Sequence, residues 1–207
     1  MNKNALLVPV LLLSLAGCTL LGGGGGGGDG EGSADDDRSS GGEELEGGST
    51  ACVIDRDWQL DVADMAAQLG ETVASGGVTV ISSTGSGESG VYFDQEGYAG
   101  SATNVTYTIV IDAGDGLIMT MVQNHAGSPG GNWAWDGESE STMIFDEWTG
   151  EVVITTDTTI NGTPAPTSTT PLEGGFGGQS MTVSCDGDTL VTQSEGSPFR
   201  STWHAAD

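Results

Sequence analysis

Residues whose types could perform acid–base or nucleophilic chemistry are few in this chain of 207 residues. His125 and His204 are its two histidines, and neither a Gly-x-Ser-x-Gly motif nor a Gly-x-x-x-x-Gly-Lys phosphate loop occurs. A Ser–His–Asp set is defined by geometry and stays open, but histidines in a chain rich in serine and aspartate meet such neighbours by chance. We therefore predict no catalytic residues and a protein that is not an enzyme, with hydrolysis as the one reaction worth screening.

Paired carboxylates are the next candidates, because sugar hydrolysis uses two of them on either side of the scissile bond. The pairs are Asp94/Glu96, Glu138/Glu140 and Asp146/Glu147. Residues 51–207 contain 22 acidic residues, so such pairs are unavoidable, and we interpret them as surface charge. Asp and Gly in residues 112–116 and 186–188 are the residue types that tight turns require. Weak calcium binding is the alternative for these residues, and also for the acidic residues 35–37.

The N-terminal segment has the pattern of a secretory signal peptide. Lys3 is followed by residues 5–15, which are almost wholly apolar, and then by the small residues Ala16 and Gly17. The apolar stretch is shorter than the roughly 20 residues that a membrane span needs. We predict a signal peptide over residues 1–17 that is removed on export.

The four residues Leu15-Ala16-Gly17-Cys18 resemble the lipobox of bacterial lipoproteins. The resemblance implies that the Cys18 thiol receives a diacylglyceryl group and that acyl chains such as palmitate anchor the mature protein. Two or more chains give stable attachment, whereas one gives only marginal binding. The expected location is extracytoplasmic, with the lipid on Cys18 holding the protein to the bacterial cell membrane.

Residues 18–50 are predicted to be a disordered tether. Seven consecutive glycines at 22–28 precede a run rich in Asp and Glu that offers little apolar surface to bury. A Gly-rich segment of this length reaches on the order of 30 Å.

Charge excludes whole classes of partner. The chain has 30 Asp+Glu against 4 Lys+Arg, a formal net charge of −26, and residues 51–207 alone carry −20, with Arg56 and Arg200 as their only basic side chains other than histidine. Nucleic-acid binding and attachment through a polybasic patch both need cationic side chains, so neither is expected. The acidity could also reflect a saline habitat.

Cys52 and Cys185 remain after Cys18 is assigned to lipid. An exported protein meets an oxidising compartment, so we predict that they form a disulfide that closes almost the whole domain. Two buried thiols or a metal pair are the alternatives, although no CxxC motif or histidine cluster is present to complete a metal site. No cofactor is expected.

Residues 51–207 read as a mainly β domain. One amphipathic helix is predicted over residues 57–70, with Gly70 or Gly76-Gly77 as its end. About ten short strands follow, and residues 105–111 give the clearest period-two alternation. Gly-rich turns are expected at 85–87, 114–116, 136–137, 161–162 and 186–187, and a long loop at 162–178. The predicted fold is an antiparallel meander closing into a β-barrel with one N-terminal helix, and the alternative is an open or two-layer sandwich.

Three short motifs resemble those of secreted actinobacterial lipoproteins with a lipocalin-like domain. They are Cys52-Val-Ile-Asp-Arg-Asp-Trp58-Gln-Leu-Asp61, Gly130-Gly-Asn-Trp133 and Cys185-Asp-Gly-Asp-Thr-Leu190. The resemblance implies a lipocalin-like barrel over 51–207 and no particular activity.

Aromatic and sulfur-containing side chains at alternating strand positions are candidates for a ligand lining. They are Tyr107, Met119, Met121, Trp133 and Trp135. In a barrel they would line either a packed core or a pocket for a small apolar ligand. The leading hypothesis is a membrane-anchored module that binds a small apolar ligand or a partner. The alternative is a structural protein whose acidic surface contacts a cell-envelope component, and a hydrolase ranks third.

Overall fold

A computed structural model describes residues 50–137, 140–173 and 178–206. The signal peptide, Cys18, residues 18–49 of the expected tether and Glu138 lie outside the described residues. The helices are α1 (Thr50–Val53) and α2 (Val62–Ser75). The strands are β1 (Asp57–Leu60), β2 (Thr79–Phe93), β3 (Tyr98–Asp112), β4 (Ile118–Gly127), β5 (Gly130–Trp135), β6 (Thr142–Thr149), β7 (Glu151–Ile160), β8 (Thr163–Pro164), β9 (Ser168–Glu173), β10 (Ser180–Asp186), β11 (Thr189–Ser194) and β12 (Ser201–Ala205).

Eight of these strands form a closed antiparallel barrel. Around the ring they follow the order β1, β2, β3, β5, β6, β10, β11 and β12, and β12 pairs with β1 to close it. Each barrel strand therefore pairs with the next barrel strand along the chain, which is up-and-down connectivity. The predicted fold class, an antiparallel meander closing into a barrel, is confirmed.

The remaining strands continue the sheet beyond one end of the barrel. β3 pairs with β5 through residues 98–100 and with β4 through residues 103–112, so its second half leaves the barrel. β4 runs on into β5 across residues 128–129, and β6 runs on into β7 across Gly150, whose φ is +86°. We call the outer halves of β2 and β3, together with β4, β7, β8 and β9, the extension.

Helix α2 covers part of one face of the extension. Its N-cap Asp61 accepts a hydrogen bond from the N–H of Asp64 (2.9 Å). The buried residues Ala66, Leu69 and Val73 face β2 and β3. This face of the helix supplies the apolar cover that an open sheet otherwise lacks.

Three details of the sequence prediction are wrong. The helix begins at Val62 instead of residue 57, because residues 57–60 pair with β2 and β12 as β1. The turn predicted at 85–87 lies inside the continuous strand β2, where the absence of side chains lets α2 and β3 approach closely. Residues 162–178 contain β8 and β9, because their threonines suit a strand and the edge of β7 offers free backbone groups.

Side chains fill the inside of the barrel. Phe93 and Trp133 meet edge-on with ring centroids 5.6 Å apart, and Phe145 and Trp148 do so at 5.5 Å. The buried cluster comprises Val53, Trp58, Phe93, Ala99, Trp133, Met143, Phe145, Trp148, Met181, Val183 and Leu190. The barrel interior is therefore a packed core at the level of these residues.

The predicted disulfide between Cys52 and Cys185 is present, with the two Cα atoms 6.1 Å apart. It joins α1 to the end of strand β10, at the barrel end far from the extension. Val53, which has no exposed surface, enters the core beside it and accepts a hydrogen bond from Nε1 of Trp58 (2.9 Å). The helix α1 thus closes this end of the barrel, and the alternatives of free thiols or a metal pair do not apply.

Candidate functional site

A cleft of about 400 Å³ lies at the barrel end that α1 closes. It is formed by α1 and the residue after it, the turn between β2 and β3, and the end of β5. The lining residues are Thr50, Ile54, Gln95, Gly97, Trp133, Ala134 and Trp135. We call it the tryptophan cleft, and its volume falls within the range of small-molecule sites.

The two tryptophans of the cleft are fixed by hydrogen bonds inside the protein. Trp133 and Trp135 are two residues apart in β5 and share one face of the strand, with ring centroids 5.6 Å apart and the rings perpendicular. Nε1 of Trp133 donates to the carbonyl oxygen of Tyr98 (3.1 Å), and Nε1 of Trp135 donates to Oγ1 of Thr50 (2.8 Å). Trp133 belongs to the barrel core and is 8% exposed, whereas Trp135 is partly buried. Because both indole N–H groups have partners, the surface that the two rings present to the cleft is apolar and π-rich, and Trp135 is the more exposed of the two.

Thr50 connects Trp135 to a carboxylate in the loop between β5 and β6. The hydroxyl of Thr50 donates to Oε1 of Glu140 (2.7 Å), and its backbone N–H donates to Oε2 (2.8 Å). These hydrogen bonds, the one from the hydroxyl first, lower the pKa of Glu140 because they favour its charged form. These two contacts hold the first residue of α1 against the loop between β5 and β6, and the bond from Trp135 holds it against the end of β5.

Gln95 joins the opposite side of the cleft to a second carboxylate. Its side-chain amide donates to Oδ2 of Asp55, and the hydroxyl of Tyr92 donates to Oδ1 (3.3 Å). Asp55 has φ +55°, a left-handed conformation that Asp tolerates and that turns the chain from α1 towards β1. Desolvation, followed by nearby carboxylates with Asp55 first, raises the pKa of Tyr92. The rim of the cleft beside Gln95 is therefore negatively charged.

The five residues predicted as one ligand lining are divided between two places. Trp133 and Trp135 line the tryptophan cleft. Tyr107, Met119 and Met121 lie on β3 and β4 of the extension, on the sheet face that α2 partly covers. The cleft lining does not include these three side chains.

Tyr107 belongs to the packed part of the extension. It is 5% exposed, and its ring meets the ring of His125 edge-on with centroids 5.3 Å apart. Burial raises the pKa of Tyr107 to about 12 and lowers the pKa of His125. Both side chains are therefore uncharged at neutral pH.

The two histidines lie in different parts of the fold. His125 is in β4 of the extension, where its buried Nε2 has no hydrogen-bond partner among the described residues. His204 is in β12 of the barrel, exposed, with its Nε2 3.7 Å from Oδ2 of Asp61. The two do not combine into one site.

Acidic side chains of the predicted pairs and turns bind neighbouring backbone. Asp94 accepts a hydrogen bond from the N–H of Glu96 (2.9 Å), Asp146 from that of Glu147 (2.7 Å), and Asp112 from the residue two positions further on (2.9 Å). These are the contacts by which Asp fixes a turn. Within residues 50–137, 140–173 and 178–206, no group of three or more His, Cys, Asp or Glu is placed to hold a metal ion.

Sequence reasoning missed the residues that complete the cleft. Thr50 was assigned to the tether, and Gln95 and Gly97 lie in a turn that no spacing relates to β5. The predicted bond between Cys52 and Cys185 is the signal that could have placed α1 at this end of the barrel.

The fold and the site define an eight-stranded antiparallel β-barrel with a filled interior and a tryptophan-lined cleft at one end. Comparisons with family models, with curated proteins and with solved structures found no match. Among the helices in the described ranges, none combines the length and the apolar character needed to cross a bilayer.

Proposed function

We propose that this protein is an extracytoplasmic lipoprotein whose barrel domain binds a small ligand in the tryptophan cleft. The observation that carries the proposal is the pair Trp133 and Trp135, whose rings line an open cleft while their N–H groups are bonded within the protein. Aromatic surface with a few polar groups beside it is the usual composition of a small-molecule site. Gln95 and Thr50 provide those polar groups.

The cleft is a better candidate than the barrel interior. A ligand inside the ring would have to displace side chains such as Trp58 and Met143, which are at most 1% exposed. Displacing well-packed core groups costs several kcal/mol per large side chain. A ligand in the cleft needs no such displacement, because the cleft is already open.

The lipid anchor is proposed from the sequence. The four-residue motif ending at Cys18 follows an apolar segment of the right length, and residues 18–50 have the composition of a flexible spacer. The lipid would hold the domain at the cell membrane, and the spacer would keep the cleft accessible.

Ligand binding is tested with the full chain carrying Cys18→Ser, which cannot receive lipid. The neutral fluorophore N-phenyl-1-naphthylamine is titrated, and energy transfer from tryptophan is recorded. We expect a saturable signal that Trp135→Ala abolishes and that Trp203→Phe, a change in β12 outside the cleft lining, preserves. No saturable signal, or one that both variants retain, would refute a ligand site in this cleft.

Anchoring is tested by feeding an alkyne-tagged fatty acid to a bacterial host that expresses the full chain. We expect label on the wild type and on Cys52→Ala, but none on Cys18→Ala, which should leave the membrane fraction. Label that persists on Cys18→Ala would show that the anchor lies elsewhere.

A further inference from the structure

We propose that the tryptophan cleft binds the quaternary ammonium head of a cationic organic molecule. The inference rests on the proposed function and names the class of ligand that the same cleft takes. It combines the ring surfaces of Trp133 and Trp135 with the distribution of charge around them.

Every chain segment that lines the cleft also carries a carboxylate. Two of these carboxylates contact lining residues directly, because Asp55 accepts a hydrogen bond from Gln95 and Glu140 accepts two from Thr50. The others are next to lining residues in sequence. The full set is Asp55, Asp94, Glu96, Asp136 and Glu140.

Both arginines of the domain are positioned against other groups. Nη1 of Arg56 donates to the carbonyl oxygen of Gly187 (2.9 Å) and lies 3.3 Å from Oδ1 of Asp188. Arg200 precedes β12, and its backbone N–H donates to Gln68 of α2 (2.9 Å), which packs on the extension. With 22 acidic residues against these two cations, the field at the cleft attracts positive charge.

Tyr92 lies close to two of these carboxylates, Asp55 and Asp94. Its hydroxyl donates to Asp55, which in turn bonds the lining residue Gln95. Desolvation raises the pKa of Tyr92 most; the charge of Asp55, the hydrogen bond with Asp55, and the charges of Asp94 and Asp57 raise it further. The same charges favour a cationic ligand over a neutral or anionic one of equal shape.

A quaternary ammonium group matches the chemistry that the cleft leaves free. It has no N–H to donate, so it needs no acceptor, and it interacts favourably with the π-surface of indole, the best aromatic partner for a cation. A bare metal ion would instead need several converging oxygen ligands. Among the described residues, no three or more His, Cys, Asp or Glu side chains are grouped to hold such an ion.

The test compares choline with 3,3-dimethylbutan-1-ol, its neutral isostere in which carbon replaces the charged nitrogen. The protein is the full chain with Cys18→Ser, and the readout is tryptophan fluorescence at low and high salt. We expect choline to bind about tenfold more tightly than the alcohol, with the preference shrinking as salt screens the rim.

Two matched variants locate the charge that matters. Asp55→Asn removes the carboxylate that accepts a hydrogen bond from Gln95. The control, Asp115→Asn, removes a carboxylate at the turn between β3 and β4. The two positions are matched because both have a positive φ, +55° and +53°, which Asn tolerates. We expect Asp55→Asn to weaken choline binding several-fold without changing binding of the alcohol. Asp115→Asn should change neither.

The outcomes separate this inference from the function on which it rests. Equal affinity for choline and the alcohol overturns the cationic ligand class but leaves the cleft as a binding site. Choline binding that survives Trp135→Ala overturns the location and indicates non-specific attraction to an acidic protein. If choline, the alcohol and N-phenyl-1-naphthylamine all fail to bind, the proposed function fails as well.

Discussion

Breaking the bond between Cys52 and Cys185 measures how far one covalent link stabilises the barrel. The two cysteines are 133 residues apart, and the loop they close contains six of the eight barrel strands entirely or nearly so. Chain-entropy arguments for a loop of this size give about 5 kcal/mol of destabilisation when the link is lost. In a domain of this size 1 kcal/mol corresponds to about 2–4 °C in Tm, so Tm should fall by about 10–20 °C.

The assay is urea unfolding of the full chain carrying Cys18→Ser, with and without the double change Cys52→Ala and Cys185→Ala. Far-ultraviolet circular dichroism follows the strands, and tryptophan fluorescence follows the core. The m-value should rise in the double variant, because an unfolded chain without the cross-link exposes more surface. Reducing agent added to the disulfide-containing protein should reproduce the effect, which controls for the alanine substitutions.

A loss below about 1 kcal/mol would refute the loop-closure reasoning, because it would be about a fifth of the value expected for this loop and below the roughly 2–5 kcal/mol typical of native disulfides in small secreted domains. A second possibility is that the bond acts locally by holding α1 at the cleft. The fluorescence of the cleft tryptophans would then change at a lower urea concentration than the circular dichroism signal of the strands. Thr50→Ala, which removes the hydroxyl between Trp135 and Glu140, should produce that early change without altering the main transition.

Three further changes test packing and charge. Gly85→Ala should lower the free energy of unfolding in urea by about 1–3 kcal/mol, because the new Cβ would lie 2.6 Å from Cγ1 of Val62. Gly90→Ala in the same strand is the control and should change it little, because its Cβ would lie 3.4 Å from the nearest atom. The pKa of Glu140 is lower in the folded protein than its ordinary value of 4.5. Its contribution to stability is therefore complete above pH 4.5 and disappears as the pH falls through the folded-state pKa. In a plot of the urea midpoint against pH, Glu140→Gln should reduce the loss of stability at acid pH. The pKa of His125 is also lowered in the folded protein, so the unfolded chain takes up a proton first and stability declines as the pH falls below 6.5. His125→Gln should reduce that decline. An unchanged slope, or an equal reduction in the control His204→Gln, would contradict the link between buried His125 and this decline.

Local patterns predicted individual strands and turns. The alternation in residues 105–111 identified the second half of β3, in the extension, and the glycines around Asp115, which has φ +53°, marked the turn into β4. These features depend on neighbours along the chain, which a single sequence displays. The closed ring followed from many short strands joined by tight turns.

Features that depend on distant contacts were not predictable. The glycines of β2 were interpreted as a turn, because only the packing of α2 against Gly85 reveals why a strand lacks side chains there. The extension was missed because nothing in the sequence of β3 marks the point where its partner changes from β5 to β4. The cleft was half predicted, since Trp133 and Trp135 were candidates but their neighbours come from α1 and a remote turn.

The fastening of α1 also determines how mechanical load would enter the domain from the proposed anchor. A pull on the chain before Thr50 meets the hydrogen-bonded pair with Glu140 first and the covalent bond at Cys52 two residues later. The disulfide is stronger than the hydrogen bonds between two strands, so the force passes through it to β10 and bypasses β1. In the ring, β10 lies between β6 and β11. Tension on the anchor would therefore act on Thr50 and its hydrogen bonds with Glu140 before it reaches Cys52. Beyond Cys52, it would leave Val53, Ile54 and the barrel side of the tryptophan cleft in place until β10 shears from its neighbours.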